Sequence, residues 1–418
     1  MSHYIIRGGN RLVGALGIHG AKNAALPVLA AAAICGDSVI HNCPRLTDIG
    51  VAMKILRHLG CGARREGDTI VTTRGTGGDC RIPDGLMGAM RSSIVFLGGM
   101  VARHGCAELA LPGGCELGAR PIDLHLAALS RMGARITETG GRLVCSAPEG
   151  LRGARIDLSF PSVGATENTI IAAATARGET ILTGAAREPE ILDLIDFLQG
   201  CGAKILLELD GTIRINGVEQ LHGTEHRVIP DRIAAGTYLC AAAITGGELL
   251  VKRVVPGHLA SSLAVLSQAG CQVTAGSDWV RLAAPQRLSA FGTVKTMPYP
   301  GFPTDMQSVM MAAATVADGT TVFVENIFES RYRHVPELKK LGARIITEGR
   351  AAVVTGAERL TGAGLACTDL RGGAAVVLGA LAAEGESTVT GLEHIDRGYD
   401  DLEGNLARLG ADIIRIKE

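Results

Sequence analysis

The sequence predicts an α/β protein made of two closed groups of three repeats, and three observations carry that prediction. A Gly ends a helical pattern and leads into a β-like run at Leu59-Gly60, Met132-Gly133, Cys201-Gly202, Ala269-Gly270, Leu341-Gly342 and Leu409-Gly410, a recurrence of about seventy residues. Upstream of each lies a small-residue helix that also ends in Gly and passes into a strand, at Gly36, Gly105, Gly178, Gly246, Gly319 and Gly385. Finally, 47% of the 418 residues are hydrophobic but only 3% are aromatic, and Gly alone supplies 56, so the helices must pack closely on small side chains.

Taken in order, each repeat reads helix, Gly turn, strand, helix, Gly turn and strand pair. Gly at both turns suits the left-handed residue that closes a helix, and β-branched runs such as the one after Gly319 suit strands. No repeat can bury both faces of its helices alone, so the repeats must pack on one another. Six in a row would suggest a solenoid, but about seventy residues exceeds the usual stacking module, and two closed groups of three fit the length better. The seam falls near Val228-Ile-Pro-Asp231, where the third repeat ends. The opening strand Tyr4–Arg7 has to join one group or the other.

The first helix of each repeat opens on polar residues suited to capping: Lys22-Asn23, Ser92-Ser93 beside Arg91, Ser162, Asp231, Thr304-Asp305, and Thr368-Asp369 beside Arg371. Capping alone accounts for the Ser and Asp residues. Lys22, Arg91 and Arg371 need more, because a cation at the positive end of a helix dipole is unfavourable unless an anion faces it. Arg120, Arg331 and Arg397 repeat the pattern at the second helices. If the repeats point the same ends toward one cleft, these six cations form a trap for a multiply anionic ligand.

The stretch Leu111–Pro121 sets a lone thiol, Cys115, behind Gly113 and Gly114, with Arg120 five residues on and Pro121 near the start of the next helix. Such a loop can close over a ligand, and a thiol near a guanidinium is a candidate proton donor or nucleophile. A thiol hydrolase pair of Cys115 with His125 has no support, because ten residues along a loop and helix give no reason for contact.

A net charge of −1 points to neither nucleic acid nor an anionic membrane as partner. Eleven cysteines with no C-x-x-C pair or metal-ligand spacing predict reduced thiols and no metal site. No apolar run approaches about 18 residues and the N-terminus lacks a secretory h-region, so a soluble, cytoplasmic protein is expected. The Gly-rich pieces form neither a P-loop nor a dinucleotide fingerprint, and no cofactor is expected.

Longer motifs make the reading specific. Gly20-Ala-Lys-Asn-Ala-Ala-Leu-Pro27, Leu111 to His125, Ser162-Val-Gly-Ala-Thr166, Glu188-Pro-Glu190, Pro230-Asp-Arg-Ile233, Phe302-Pro-Thr-Asp-Met-Gln307, Phe328-Glu-Ser-Arg331 and His394-Ile-Asp-Arg-Gly-Tyr399 closely resemble the UDP-N-acetylglucosamine enolpyruvyl transferases. The resemblance runs from about residue 5 to the C-terminus. It implies two inside-out, barrel-like α/β domains, each of three repeated units with buried helices. One domain would be 22–229 with the Cys115 loop, the other 1–21 with 230–418, and the active site would lie in the cleft between them.

The activity implied is transfer of the enolpyruvyl group of phosphoenolpyruvate to the 3′-hydroxyl of UDP-N-acetylglucosamine, with release of phosphate, by a monomer that serves the first committed step of peptidoglycan synthesis. By the same resemblance Lys22, Arg120 and Arg397 hold phosphoenolpyruvate, and Asn23 steadies the tetrahedral intermediate. Arg120, Pro121, Ile122, Asp123, Leu124, Ser162, Val163, Gly164, Asp305 and Ile327 line the UDP-sugar site, with Arg91, Arg331, Asp369 and Arg371 also binding substrate. Cys115 is the implied proton donor, open to alkylation by a phosphonate epoxide of the fosfomycin type, and Asp305 is the implied base. His19, Glu116 and Ala234 depart from the family's usual residues. Two rivals remain: the sister shikimate-pathway synthase, which lacks the Cys loop, and a non-catalytic repeat scaffold.

Overall fold

A computed structural model of the chain describes residues 2–90, 92–110 and 122–417. The chain forms two compact units. One takes the described residues between Gly20 and Ile229, and the other joins residues 2–19 to residues 230–417.

In each unit three helices form the centre. They are Lys22–Ala32, Phe96–His104 and Val163–Ala173 in one, and Arg232–Ile244, Thr304–Ala314 and Leu370–Ala382 in the other, and within a unit they pack on one another. These helices are apolar nearly all round. Every residue from Ile233 to Ile244 is buried, which a surface helix with one apolar stripe would not show. Small residues make that approach possible: a Cβ added at Gly98 would stand 2.3 Å from the carbonyl oxygen of Asn168 on the neighbouring helix. The second helix of each repeat, such as Thr47–His58 or Pro189–Gly200, keeps exposed residues beside its buried ones.

Each unit carries three sheets of three or four strands, the second unit adding the two-stranded pair Leu360–Thr361 and Ala383–Glu384, and the strands alternate buried and less buried residues, so the sheets flank the helices with one face toward solvent. Among the described residues no sheet closes on itself.

A parallel strand handed from one repeat to the next links the three sheets of a unit. Arg155–Asp157 follows the second repeat and pairs with Glu179–Thr183 of the third. Glu225–Arg227 follows the third and returns to Ser38–His41 of the first, so the ring of repeats closes. The other unit does the same with Thr293–Lys295 on Thr320–Val324 and Gly364–Ala366 on Glu386–Thr390. Its ring is completed from the N-terminus: Val13–Gly17 pairs with Glu248–Lys252, and His3–Arg7 fills the slot between Glu386–Thr390 and Asp412–Ile416. That settles which group the opening strand joins.

The Gly turns hold their expected geometry. Gly60, Gly133, Gly202, Gly270, Gly342 and Gly410 all take positive φ, between 84° and 103°, at the ends of the second helices. Of the upstream set, Gly36 is the exception, with no positive φ. There Gly is required by crowding, since a Cβ would lie 2.5 Å from the backbone nitrogen of Gly223.

Candidate functional site

In the unit that starts at Gly20, Lys22 is the first residue of its helix, and its side chain is buried. Its Nζ lies 3.3 Å from Oδ2 of Asp48, itself buried at the start of the outer helix, so the dipole's positive end and the ammonium share a carboxylate. Asn23 follows, half-buried; it is not the cap, which falls at Ala21 with no side-chain bond. Ser162 does cap its helix, with Oγ accepting from the Ala165 amide, and Val163 and Gly164 open the first turn.

Gly164 lies against His125: a Cβ there would meet Cε1 of His125 at 3.0 Å. The imidazole is buried, and Asn168 Nδ2 donates to Nδ1 at 2.8 Å. Burial pushes His125 down to about 4, against the pull of Asp123. Ile122 stands at the N-cap position of the helix Asp123–Arg131, with Asp123 exposed and Leu124 half-buried behind it. One turn into the core helix Glu167 is buried, and burial, with Glu190 and Glu188 close by, pushes its carboxyl well above the usual range.

Two further capping expectations fail. Ser92 and Ser93 do not start a helix; a short 3₁₀ turn, Ser93–Val95, precedes Phe96–His104, and the Ser93 hydroxyl donates back to the Met90 carbonyl. Asp305 is not a cap either. Its helix Thr304–Ala314 is preceded by Pro303, which offers no side-chain acceptor, and the Asp305 carboxylate turns to two cations.

Those cations define the site in the other unit. Arg331 Nη2 donates to Asp305 Oδ1 at 2.9 Å and to the Thr304 carbonyl at 2.9 Å, while Arg371 Nη2 donates to Asp305 Oδ2 at 3.0 Å. Both guanidinium side chains are almost fully buried, at 2% and 3% exposure, whereas that of Asp305 keeps 26%, so the carboxylate is the accessible member. Asp369 caps the helix that carries Arg371, accepting from the Arg371 and Gly372 amides at 3.1 and 2.9 Å. Asp231 caps Arg232–Ile244 in the same way. Burial opposes the charge of Arg371, but Asp305 chiefly outweighs it and holds its proton more tightly than usual. The Arg371 guanidinium also lies 5.4 Å from the Tyr399 ring centroid, and the Tyr399 hydroxyl bonds Thr237 Oγ1 at 3.0 Å.

Arg331 does not sit at a helix start; it precedes Val335–Lys340 by a turn. Arg397 closes the 3₁₀ segment Leu392–Arg397. Ile327 is half-buried on the connection that leads to Arg331. Cys115, Arg91, Arg120 and Pro121 lie outside the described residues, as does Glu116.

Sequence reasoning missed Asp48, Glu325 and Thr237. Asp48 reads as a helix-start acid and Thr237 as a core hydroxyl, and neither carries a signal that separates it from such residues. Among the described residues, no group of three or more His, Cys, Asp or Glu side chains is placed to hold a metal ion, and no helix is long and apolar enough to cross a membrane. A cavity of about 530 Å³ opens at the opposite, C-terminal ends of the core helices of the Gly20 unit, lined by Ile34, Arg74, Arg103, His104 and Glu219, and it contains none of the residues singled out from sequence.

Comparison with known proteins follows the same lines. The family model described as EPSP synthase (3-phosphoshikimate 1-carboxyvinyltransferase) matches residues 6–406. A Caldanaerobacter subterraneus protein named UDP-N-acetylglucosamine 1-carboxyvinyltransferase 2 is 47% identical over 417 residues, spanning 100% of both chains. A Symbiobacterium thermophilum protein named UDP-N-acetylglucosamine 1-carboxyvinyltransferase 1 is 49% identical, over 99% of this chain and 95% of that one. Among solved structures, the enolpyruvyl transferase NikO from Streptomyces tendae superposes with a TM-score of 0.90 at 28% identity, covering 100% of this chain and 99% of its own. EPSP synthase from Acinetobacter baumannii shares the fold, with a TM-score of 0.76 at 19% identity over 100% of both chains. The chain has the enolpyruvyl transferase fold and belongs to the EPSP synthase (3-phosphoshikimate 1-carboxyvinyltransferase) family.

Proposed function

We propose that the protein is a UDP-N-acetylglucosamine 1-carboxyvinyltransferase, which transfers the enolpyruvyl group of phosphoenolpyruvate to the 3′-hydroxyl of UDP-N-acetylglucosamine and releases phosphate. The observation that carries this reading is identity of 45–49% along essentially the whole chain with proteins of that name. The reaction adds the sugar hydroxyl oxygen to C2 of phosphoenolpyruvate while C3 gains a proton. Loss of that proton and of phosphate then restores the double bond. It therefore needs a proton donor, a proton acceptor and groups that hold several anions.

On this reading Cys115 gives the proton and Asp305 receives the one from the sugar. Lys22, Arg120 and Arg397 hold phosphoenolpyruvate, and Asn23 holds the intermediate. Ile122, Asp123, Leu124, Ser162, Val163, Gly164 and Ile327, with Arg120, Pro121 and Asp305, take the sugar nucleotide, while Arg91, Arg331, Asp369 and Arg371 support the anion-binding groups. The ion pairs of Asp305 bear on its role. Each of its oxygens accepts from a guanidinium, which orients the carboxylate, and with Arg331 and Arg371 buried behind it the carboxylate is the member of the trio that a sugar hydroxyl can reach. The product would serve peptidoglycan synthesis in the cytoplasm, and the enzyme would act as a monomer.

Phosphate release with phosphoenolpyruvate and either UDP-N-acetylglucosamine or shikimate 3-phosphate tests the reading. Turnover with the sugar nucleotide alone is the expected result. Turnover only with the shikimate ester would assign the chain to the sister reaction, and none with either would leave a binding scaffold. A phosphonate epoxide should label Cys115 before any other thiol, faster with the sugar nucleotide present. Burial raises the competing thiols of Cys43, Cys271 and Cys367 to about 12 and that of Cys145 to about 11, so little thiolate is available at these four near neutral pH.

A further inference from the structure

Glu325 follows the strand Thr320–Val324, is 1% exposed, and has no place in the roles given above. A carboxylate that loses water is costly unless donors replace it. Here four do. Oε1 accepts from Thr296 Oγ1 at 2.9 Å, from Thr304 Oγ1 at 3.1 Å, and from the amides of Ile327 and Phe328 at 2.9 and 3.1 Å, while Oε2 accepts from Thr304 Oγ1 at 3.0 Å.

Those donors come from three separate pieces of chain. Thr296 follows the strand Thr293–Lys295, Thr304 is the first residue of the core helix that carries Asp305, and Ile327 and Phe328 begin the connection that ends at Arg331. The same connection is fastened again at its far end, where Arg331 donates to the Thr304 carbonyl and to Asp305. Asn326 is held by Thr296, which accepts from its amide at 2.8 Å and from Nδ2 at 3.0 Å. The backbone of Ile327 and the residue beside Asp305 are therefore both set by one carboxylate.

We infer that Glu325 is a positioning residue for the sugar nucleotide, fixing the Ile327 backbone against Asp305 so that the UDP-sugar meets a preformed surface. The inference rests on the proposed function, which assigns Ile327 and Asp305 to that substrate. It separates the two substrates, because nothing held by Glu325 belongs to the groups assigned to phosphoenolpyruvate. A purely structural role would lower stability and the active fraction but leave both Michaelis constants alone.

Steady-state kinetics of Glu325→Ala and Glu325→Gln distinguish these cases. The Gln side chain keeps an oxygen at Oε1 for the two amides and Thr296, and Thr304 Oγ1 can accept from its new NH₂. In Glu325→Ala the KM for UDP-N-acetylglucosamine should rise about tenfold or more, with the KM for phosphoenolpyruvate within about twofold, since a small misplacement of a binding group costs at least that much. Glu325→Gln should restore most of the loss. If Glu325→Ala does not fold, Thr296→Val decides, because it removes one donor to Glu325 and the acceptor for the Asn326 amide; it should raise the sugar-nucleotide KM several-fold. Unchanged constants, or equal changes in both, in a folded variant would overturn the inference. A wild-type enzyme inactive with both substrates would instead overturn the function on which it rests.

Discussion

Asp305 is the accessible member of a buried trio, and its replacement shows how much an ion pair changes a mutational reading. As a helix cap it would tolerate Asn without loss of stability. In its observed place Asn would keep one acceptor for Arg331 but turn an NH₂ toward Arg371, leaving a buried guanidinium without its carboxylate. Asp305→Asn is therefore expected to lose about 10²–10⁴-fold in turnover, as removal of a general base does, and also to melt lower. Near wild-type turnover at any stability would leave Asp305 an ion-pair partner only. Glu167 offers a second test at this scale. Its carboxyl is raised by burial, so the folded protein holds the proton where the unfolded chain has lost it. Its contribution is complete below the unfolded value, about 4.3, and is lost as pH rises toward the higher folded value. Glu167→Gln removes this dependence. Denaturant midpoints of the variant relative to wild type should therefore improve from pH 5 to pH 8 and not below pH 4; a constant difference would show that Glu167 does not titrate as argued.

At the scale of elements, the second helix of each repeat ends on a left-handed Gly, and two of these positions separate backbone strain from crowding. Gly133 has φ +95° and open space where a Cβ would go, so Gly133→Ala should cost only the left-handed strain, about 1–2 kcal/mol. Gly60 has φ +84°, and a Cβ there would stand 1.9 Å from the Gly77 carbonyl oxygen. Gly60→Ala must also move the 75–78 segment and should be the more destabilising of the two. Chemical denaturation of both variants checks the order; equal losses would mean that the segment yields freely.

For the whole molecule, the path of the chain makes the two units unequal. The Gly20–Ile229 unit closes its ring with its own strands, Glu225–Arg227 on Ser38–His41. The other unit borrows His3–Arg7 and Val13–Gly17 from the N-terminus, and without them two sheets would expose unpaired backbone groups in place of a strand. A fragment of residues 20–229 should melt cooperatively, whereas 230–418 alone should not. Joining residues 1–19 after residue 418 by a short linker should restore folding of the latter, because His3 lies directly opposite Ile416. Circular dichroism melts of the three fragments test this, and a cooperative transition for 230–418 alone would contradict it.

Much of the architecture was legible because its signals are local. A helix that ends in Gly, a β-branched run and a recurrence of about seventy residues need only neighbours within a few positions, and the repeats, the left-handed Gly turns and the caps at Ser162, Asp231 and Asp369 all follow from them. The cations at helix starts were legible as anomalies that required an anion, and Lys22 and Arg371 have one. Which carboxylate answers them was not. Asp48 lies 26 residues from Lys22 and Asp305 lies 66 residues from Arg371, and no pattern in the chain records how helices separated along it are set against each other. The same holds for Glu325, whose four donors come from three segments, and for His3–Arg7, whose place is chosen by a gap at the far end of the chain. Sequence alone determined what each repeat is and which residues carry unusual charge; the packing of repeats decided their partners, because an ion pair or a strand slot depends on distance in space.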